Sequence, residues 1–205
     1  MGLTVREISD RAERFTSVLL EELFDGMSGR KSWPELAPLY ESQSVLAWEE
    51  AAPVIERALA GASGEEERRL RRLLGWAAEH QVRSDNAELD DEYRHWHATA
   101  YVELESSRIP VRRLVAMIES EPDRDRRREL AEVRADAHSI VIPLQLDRLN
   151  RWRTSAEELG YGDYRQAVQR LSGVSLPATM RQGERFLDET RELYLAELQE
   201  HISGR

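Results

Sequence analysis

The chain has no cysteine, one lysine and no long apolar segment, and each absence excludes a class of protein. Without cysteine it can form no disulfide, thiolate nucleophile or thiolate-ligated metal site. No apolar run approaches the ~18 residues needed to cross a membrane, so we expect no membrane-spanning helix. The first twenty residues include Arg6, Asp10 and Arg14, which do not suit the apolar core of a signal peptide. A cytoplasmic location is therefore expected.

Positive charge is also scarce. The 205 residues contain 29 lysines and arginines against 39 aspartates and glutamates, a net charge of −10. A nucleic-acid binder needs a basic face, and anionic lipid attracts basic segments, so we expect neither nucleic acid nor membrane as a partner. The arginines between Arg124 and Arg128 are interleaved with acids, which predicts an ion-paired helix surface rather than a phosphate site.

Helical periodicity is what the chain has in abundance. Apolar residues recur every three or four positions, beginning with Val5, Ile8 and Ala12. The same spacing continues on both sides of residues 84–86, so we expect the helix that begins near Glu65 to run on there. The sequence predicts an all-α, multi-helix bundle of about eight helices with no significant sheet, in one domain covering 1–205.

Three local patterns complete the predicted elements. Ser44 is a candidate N-cap for the third helix. Pro143 lies inside an apolar stripe that runs from Leu130 to Leu144, so a kink is expected there. The last helix should face the core through a stripe of apolar residues and one threonine: Met180, Leu187, Thr190, Tyr194 and Leu198.

The histidines offer the one candidate metal site. Glu92 and His95 have the Glu-x-x-His spacing of di-iron bundles, but no second copy of the motif is present. A helix-bundle metal enzyme that uses Glu92, His95 and His138 stays a hypothesis. Because the second copy of the motif is missing, a structural role for the histidines is favoured. No catalytic, cofactor-binding or metal-binding residue is assigned from these patterns.

The tryptophans divide into two groups. Trp48, Trp76, Trp96 and Trp152 lie on apolar stripes, where packing in the core is the expected role. Trp33 stands beside Pro34 in a predicted loop. It is the tryptophan that could line a groove or contact another domain.

One long stretch resembles a known family. The residues that carry the likeness are Pro110–Ile118, then Glu121-Pro122-Asp123 with the following arginines, then Ala156-Glu157-Glu158-Leu159-Gly160-Tyr161, and finally Phe186, Thr190, Tyr194 and Leu198. In this order they resemble the helical N-terminal part of the oligoendopeptidase F and thimet oligopeptidase group of zinc metallopeptidases. The resemblance is best over about 109–198.

The resemblance implies a role without chemistry in this segment. In that family the zinc ligands and the glutamate that activates water lie further along the chain, so zinc is expected only in a segment C-terminal to Arg205. The chain would then be the N-terminal part of a longer peptidase and form a wall of its peptide-binding channel. Its partners would be a C-terminal catalytic domain and peptides.

An alternative of a different class stays open. The chain could be a stand-alone cytoplasmic helical interaction protein, with a homodimer as one form. An exposed apolar surface is expected where a missing catalytic half would pack, or where two copies would meet. The exposed surface of the folded chain therefore bears on both hypotheses.

Overall fold

The computed structural model describes residues 2–42 and 47–203. Within these residues the chain forms nine α-helices and one β-hairpin. The elements in order are α1 (Val5–Met27), α2 (Ala37–Ser42), α3 (Trp48–Leu59), α4 (Gly64–Thr99), β1 (Tyr101–Leu104), β2 (Ser107–Pro110), α5 (Leu114–Ser120), α6 (Arg124–Ser139), α7 (Ile142–Glu158), α8 (Tyr164–Ser172) and α9 (Leu176–Ser203). The all-α prediction is confirmed.

The long helix α4 is the centre of the fold. It has 36 residues and passes through 84–86 without interruption, which confirms the predicted continuous helix. The helices α1, α2, α3, α7 and α8 all pack against it. Ile8, Ile55 and Leu70 form the centre of one core around this helix, each at most 2% exposed. Ala78, Ala156 and Tyr161 form a second core between α4, α7 and α8.

A small unit with its own core follows α4. The strands β1 and β2 pair antiparallel, with Tyr101 opposite Pro110. Both residues of the turn between them, Glu105 and Ser106, have positive φ. This is the backbone conformation that a two-residue hairpin turn requires. Leu104, Leu114 and Leu130 pack together beneath it. The sequence predicted no strand here, because four-residue strands are too short to show clear alternation.

The predicted kink at Pro143 is wrong, because the chain forms two separate helices there. The chain leaves α6 at Ser139 and begins α7 at Ile142, so Pro143 lies in the first turn of a new helix. Proline fits that position because the first helical amides need no partner within the helix. The apolar stripe therefore belongs to two helices rather than to one bent helix. The candidate N-cap Ser44 lies outside the described residues.

A close approach at Gly26 anchors the end of α1. A Cβ atom at this position would lie 2.5 Å from Cδ of Pro34 and 2.6 Å from its backbone nitrogen. We expect Gly26→Ala to lower the free energy of unfolding by about 1–3 kcal/mol, because the backbone must move to relieve the overlap. Urea denaturation measures the effect.

Gly61→Ala is the matched control for this glycine substitution. A Cβ at Gly61 would meet no atom within 4 Å, so the free energy of unfolding should change by less than about 0.5 kcal/mol. Equal midpoints for the two variants would contradict the steric explanation.

None of the described helices combines the length and the apolarity required to cross a bilayer.

Candidate interaction surfaces

The last helix is exposed along its whole length. The 28 residues of α9 include no buried residue, and among the described elements no other helix or strand packs along it. Met180, Leu187 and Tyr194 are 66%, 64% and 64% exposed. The predicted inward face of this helix is therefore wrong: the stripe exists in the sequence, but no described part of the chain covers it. Eight large apolar side chains of α9 are left in solvent.

The exposed side chains of α9 are arranged as a stripe with two different flanks. At 100° per residue, Leu176, Met180, Leu187, Tyr194 and Leu198 fall within ~20° of one line along the helix. One flank of the stripe carries the charged residues Glu184, Asp188 and Arg191, with Leu195 and Ile202 beside them. The other carries Phe186, Thr190 and Leu193, with Glu197 among them. We refer to these as the acidic-basic flank and the apolar flank.

A second exposed apolar surface lies on α7. Ile142, Leu146 and Leu149 follow one another at helical spacing and are about half exposed. Another side of α7 packs on α4, where Ser155 is buried. We call the three exposed residues the α7 outer face.

The α7 outer face continues into a charged surface cavity. The cavity, of about 360 Å³, lies at the junction of α7 and α8 and is lined by Leu149, Arg153, Glu157, Asp163, Tyr164 and Arg165. Apolar surface and charges of both signs therefore stand side by side. Such a surface can contact both the side chains and the polar backbone of an extended peptide.

A smaller apolar group lies at the end of α1. Leu20, Phe24 and Met27 are 59%, 56% and 85% exposed, and the guanidinium of Arg30 stands 5.0 Å from the Phe24 ring. Lys31, in the loop after α1, forms an ion pair with Glu22. This patch covers less of its helix than the stripe of α9.

Polar contacts fix α7, and with it the α7 outer face, to α4. Arg148 places Nε and Nη2 at 2.6 and 2.5 Å from Oδ1 of Asp90, and its guanidinium lies 5.0 Å from the ring of Tyr93. Ser155 donates a hydrogen bond of 2.6 Å to Oδ2 of Asp85. Gln81 donates to the other oxygen of that carboxylate at 2.8 Å. The contacts of Arg148 and Ser155 join residues far apart in sequence, so sequence spacing could not predict them.

The hypothetical metal-site residues are not brought together. Glu92 is exposed, the ring of His95 lies 4.4 Å from that of Trp33, and the ring of His138 lies 5.1 Å from that of Trp96. Among the described residues, no three histidine, aspartate or glutamate side chains are grouped so that they could hold one metal ion. Trp33 is half-buried against α4 through its contact with His95.

His80 is the buried histidine of the chain's described part. It is 7% exposed and is surrounded by Phe15, Tyr40 and Trp76, with the Trp76 ring stacked on it at 4.9 Å. Its Nδ1 has no hydrogen-bond partner. Burial lowers the pKa of His80 to about 4, because an apolar environment disfavours the charged imidazolium. A structural role, as the sequence favoured for the histidines, fits this environment.

Comparison with known proteins gave no significant match, whether against family models, curated protein sequences or solved structures.

Proposed function

We propose that this chain is the helical N-terminal region of a cytoplasmic zinc oligopeptidase, and that it forms a wall of the peptide-binding channel. The observation that supports this proposal best is the α7 outer face, an exposed apolar surface within the stretch that resembles those enzymes. The catalytic segment, with its zinc ligands, would follow Arg205. The chain itself contributes no residue to the chemistry.

The position of the wall follows from the surface of α7 and α8. Ile142, Leu146 and Leu149 offer apolar contact, and the adjoining cavity offers Arg153 and Arg165 for carbonyl or carboxylate groups of a peptide. Exposed apolar groups of this kind are usual where a domain or ligand packs. Because α7 is held to α4 by Arg148 and Ser155, the wall would be rigid.

The size of the natural protein tests the proposal. An antibody raised against this chain should detect a species well above 23.7 kDa in lysate of the source cells, and its downstream sequence should contain His-Glu-x-x-His. A natural product of 23.7 kDa would overturn the peptidase proposal.

A substitution on the α7 outer face tests the wall itself. In the longer protein we expect Leu146→Glu to lower kcat/KM for a short peptide by about tenfold, because a charge replaces apolar contact with substrate or catalytic segment. Thr154→Glu adds the same charge at an exposed position on a different side of α7 and should leave kcat/KM within about twofold. Equal activity of both variants would contradict the placement of the wall.

A second candidate is an interaction protein, and the exposure of α9 favours it. A 28-residue helix with a continuous apolar stripe is stabilised by packing more than by propensity. This helix therefore fits a role in association, either in a stand-alone protein or beside the peptidase role, because α7 and α9 present separate surfaces. The mass of the purified chain in solution tests this role.

A further inference from the structure

The stripe of α9 is complementary to itself when two copies run in opposite directions. If the helices cross near residues 189–190, Met180 of one copy lies level with Leu198 of the other, and Leu176 lies level with Ile202. Gly183, which lies beside the stripe, is level with Tyr194, so a glycine leaves room for the largest residue of the stripe. In a two-fold symmetric interface each such contact occurs twice.

The flanks distinguish the antiparallel pair from a parallel one. In an antiparallel pair with two-fold symmetry, like flanks meet. Asp188 then faces Arg191 of the second copy across the acidic-basic flank, and Phe186 faces Leu193 across the apolar flank. In a parallel pair, unlike flanks meet, so Glu184 and Asp188 would both lie beside Phe186 of the second copy, and Asp188 would have no cation opposite it. The antiparallel pair sets Glu184 level with Leu195, so the contact of Asp188 with Arg191 is what distinguishes the two orientations.

The charges of the flank are available for this contact. None of the ion pairs among the described residues involves a residue of α9. Pairing Asp188 with Arg191 of a second copy would give each charge a partner at the edge of the interface, where charge pairs set orientation.

The length of α9 allows a small specific interface. At 28 residues the helix is about 42 Å long. The exposed apolar side chains nearest the line of the stripe, Met180, Leu187, Tyr194 and Leu198, would be buried first, which gives an area at the low end of the range for specific protein interfaces.

We propose that α9 pairs with α9 of a second copy in antiparallel orientation, centred near residues 189–190, with Asp188 and Arg191 paired across the two-fold axis. The inference rests on the association role given above as the second candidate, and it names the partner and its orientation. It leaves the α7 outer face free.

Cysteine cross-linking tests the orientation, and the native chain has no cysteine to interfere. Met180→Cys and Leu198→Cys chains, one enlarged by a tag, are mixed and mildly oxidised. The antiparallel pair brings Cβ atoms of the two positions within disulfide range, so the product should be the mixed dimer. The Met180→Cys chain alone should stay uncoupled, because its two sulfurs would be about 27 Å apart along the helix.

A charge on the stripe tests the interface by analytical ultracentrifugation. The unmodified chain should sediment at twice 23.7 kDa. Leu187→Glu should weaken the dimer by about 100-fold, because a charged group replaces an apolar side chain in the middle of the stripe and is desolvated there. Ala196→Glu adds the same charge on the opposite side of α9 and should change the dissociation constant by less than about threefold. Neither substitution removes a buried residue, so the helical body should fold in both.

The outcomes separate the inference from the role on which it rests. A monomer at all concentrations overturns self-association through α9 altogether. A dimer in which Met180→Cys couples to itself, or which Leu187→Glu does not weaken, keeps an association role and overturns the antiparallel pairing. A mixed Met180–Leu198 product together with a Leu187→Glu monomer supports both.

Discussion

Acidification from pH 7 to pH 4 should cost the folded chain about 3 kcal/mol through His80 alone. Burial lowers the pKa of His80 from 6.5 to about 4. Between these pH values the unfolded chain binds a proton at His80 that the folded chain does not bind. The stabilisation is fully present above about pH 6.5 and is lost as the pH falls toward 4. Denaturant unfolding at a series of pH values measures the loss.

The contribution of His80 is isolated by His80→Phe. Phenylalanine keeps an aromatic ring against Phe15, Tyr40 and Trp76 and removes the unpartnered Nδ1, so stability at pH 7 should be kept or raised. The pH dependence of the variant should then be smaller by about 3 kcal/mol. His201→Gln, at an exposed position of α9, is the control and should retain the full dependence. If the free energy of unfolding of His80→Phe depends on pH as it does in the unmodified chain, carboxylates alone cause the loss of stability in acid.

Arg148→Met should lower the free energy of unfolding by about 2–4 kcal/mol. The substitution keeps the aliphatic part of the side chain but leaves Asp90, whose side chain is 13% exposed, without its closest cation. An uncompensated carboxylate in such a position is costly. Calorimetry or urea denaturation at pH 7 gives the value. Because Arg148 fixes α7 to α4, the variant should also increase amide exchange in α7.

Two comparisons control the Arg148 prediction. Arg71→Met removes an exposed pair with Glu67 at 2.7 Å and should cost less than about 1 kcal/mol. The double variant Arg148→Met/Asp90→Asn should be more stable than Arg148→Met, because the carboxylate no longer needs a cation. A double variant that is no more stable than the single would contradict the explanation by an uncompensated carboxylate.

Helices with strong periodicity were predictable, and α4 is the clearest example. Its apolar residues keep one spacing through 84–86, and no glycine or proline interrupts that region, so a continuous helix followed from local sequence alone. The hairpin was missed because its strands are four residues long. The break between α6 and α7 was misread as a kink, since a proline in a stripe fits both a bent helix and the first turn of a new one.

The candidate surfaces could be found in part. The stripe of α9 was visible in the sequence as an amphipathic pattern, but the prediction that it faces the core was wrong. What covers a stripe depends on residues far away in sequence, and periodicity carries no information about them. The contacts of Arg148 with Asp90 and of Ser155 with Asp85 were hidden for the same reason.

The sequence by itself determined the helical class, the long helix α4 and the amphipathic faces, because backbone propensity and side-chain spacing act over a few turns. It also determined the excess of negative charge and the absence of thiol chemistry. Only the tertiary structure decided which faces are buried: α7 turns one face to α4 and leaves Leu146 in solvent, and α9 remains uncovered. That outcome depends on long-range packing, in which each helix face competes for the limited surface of the others.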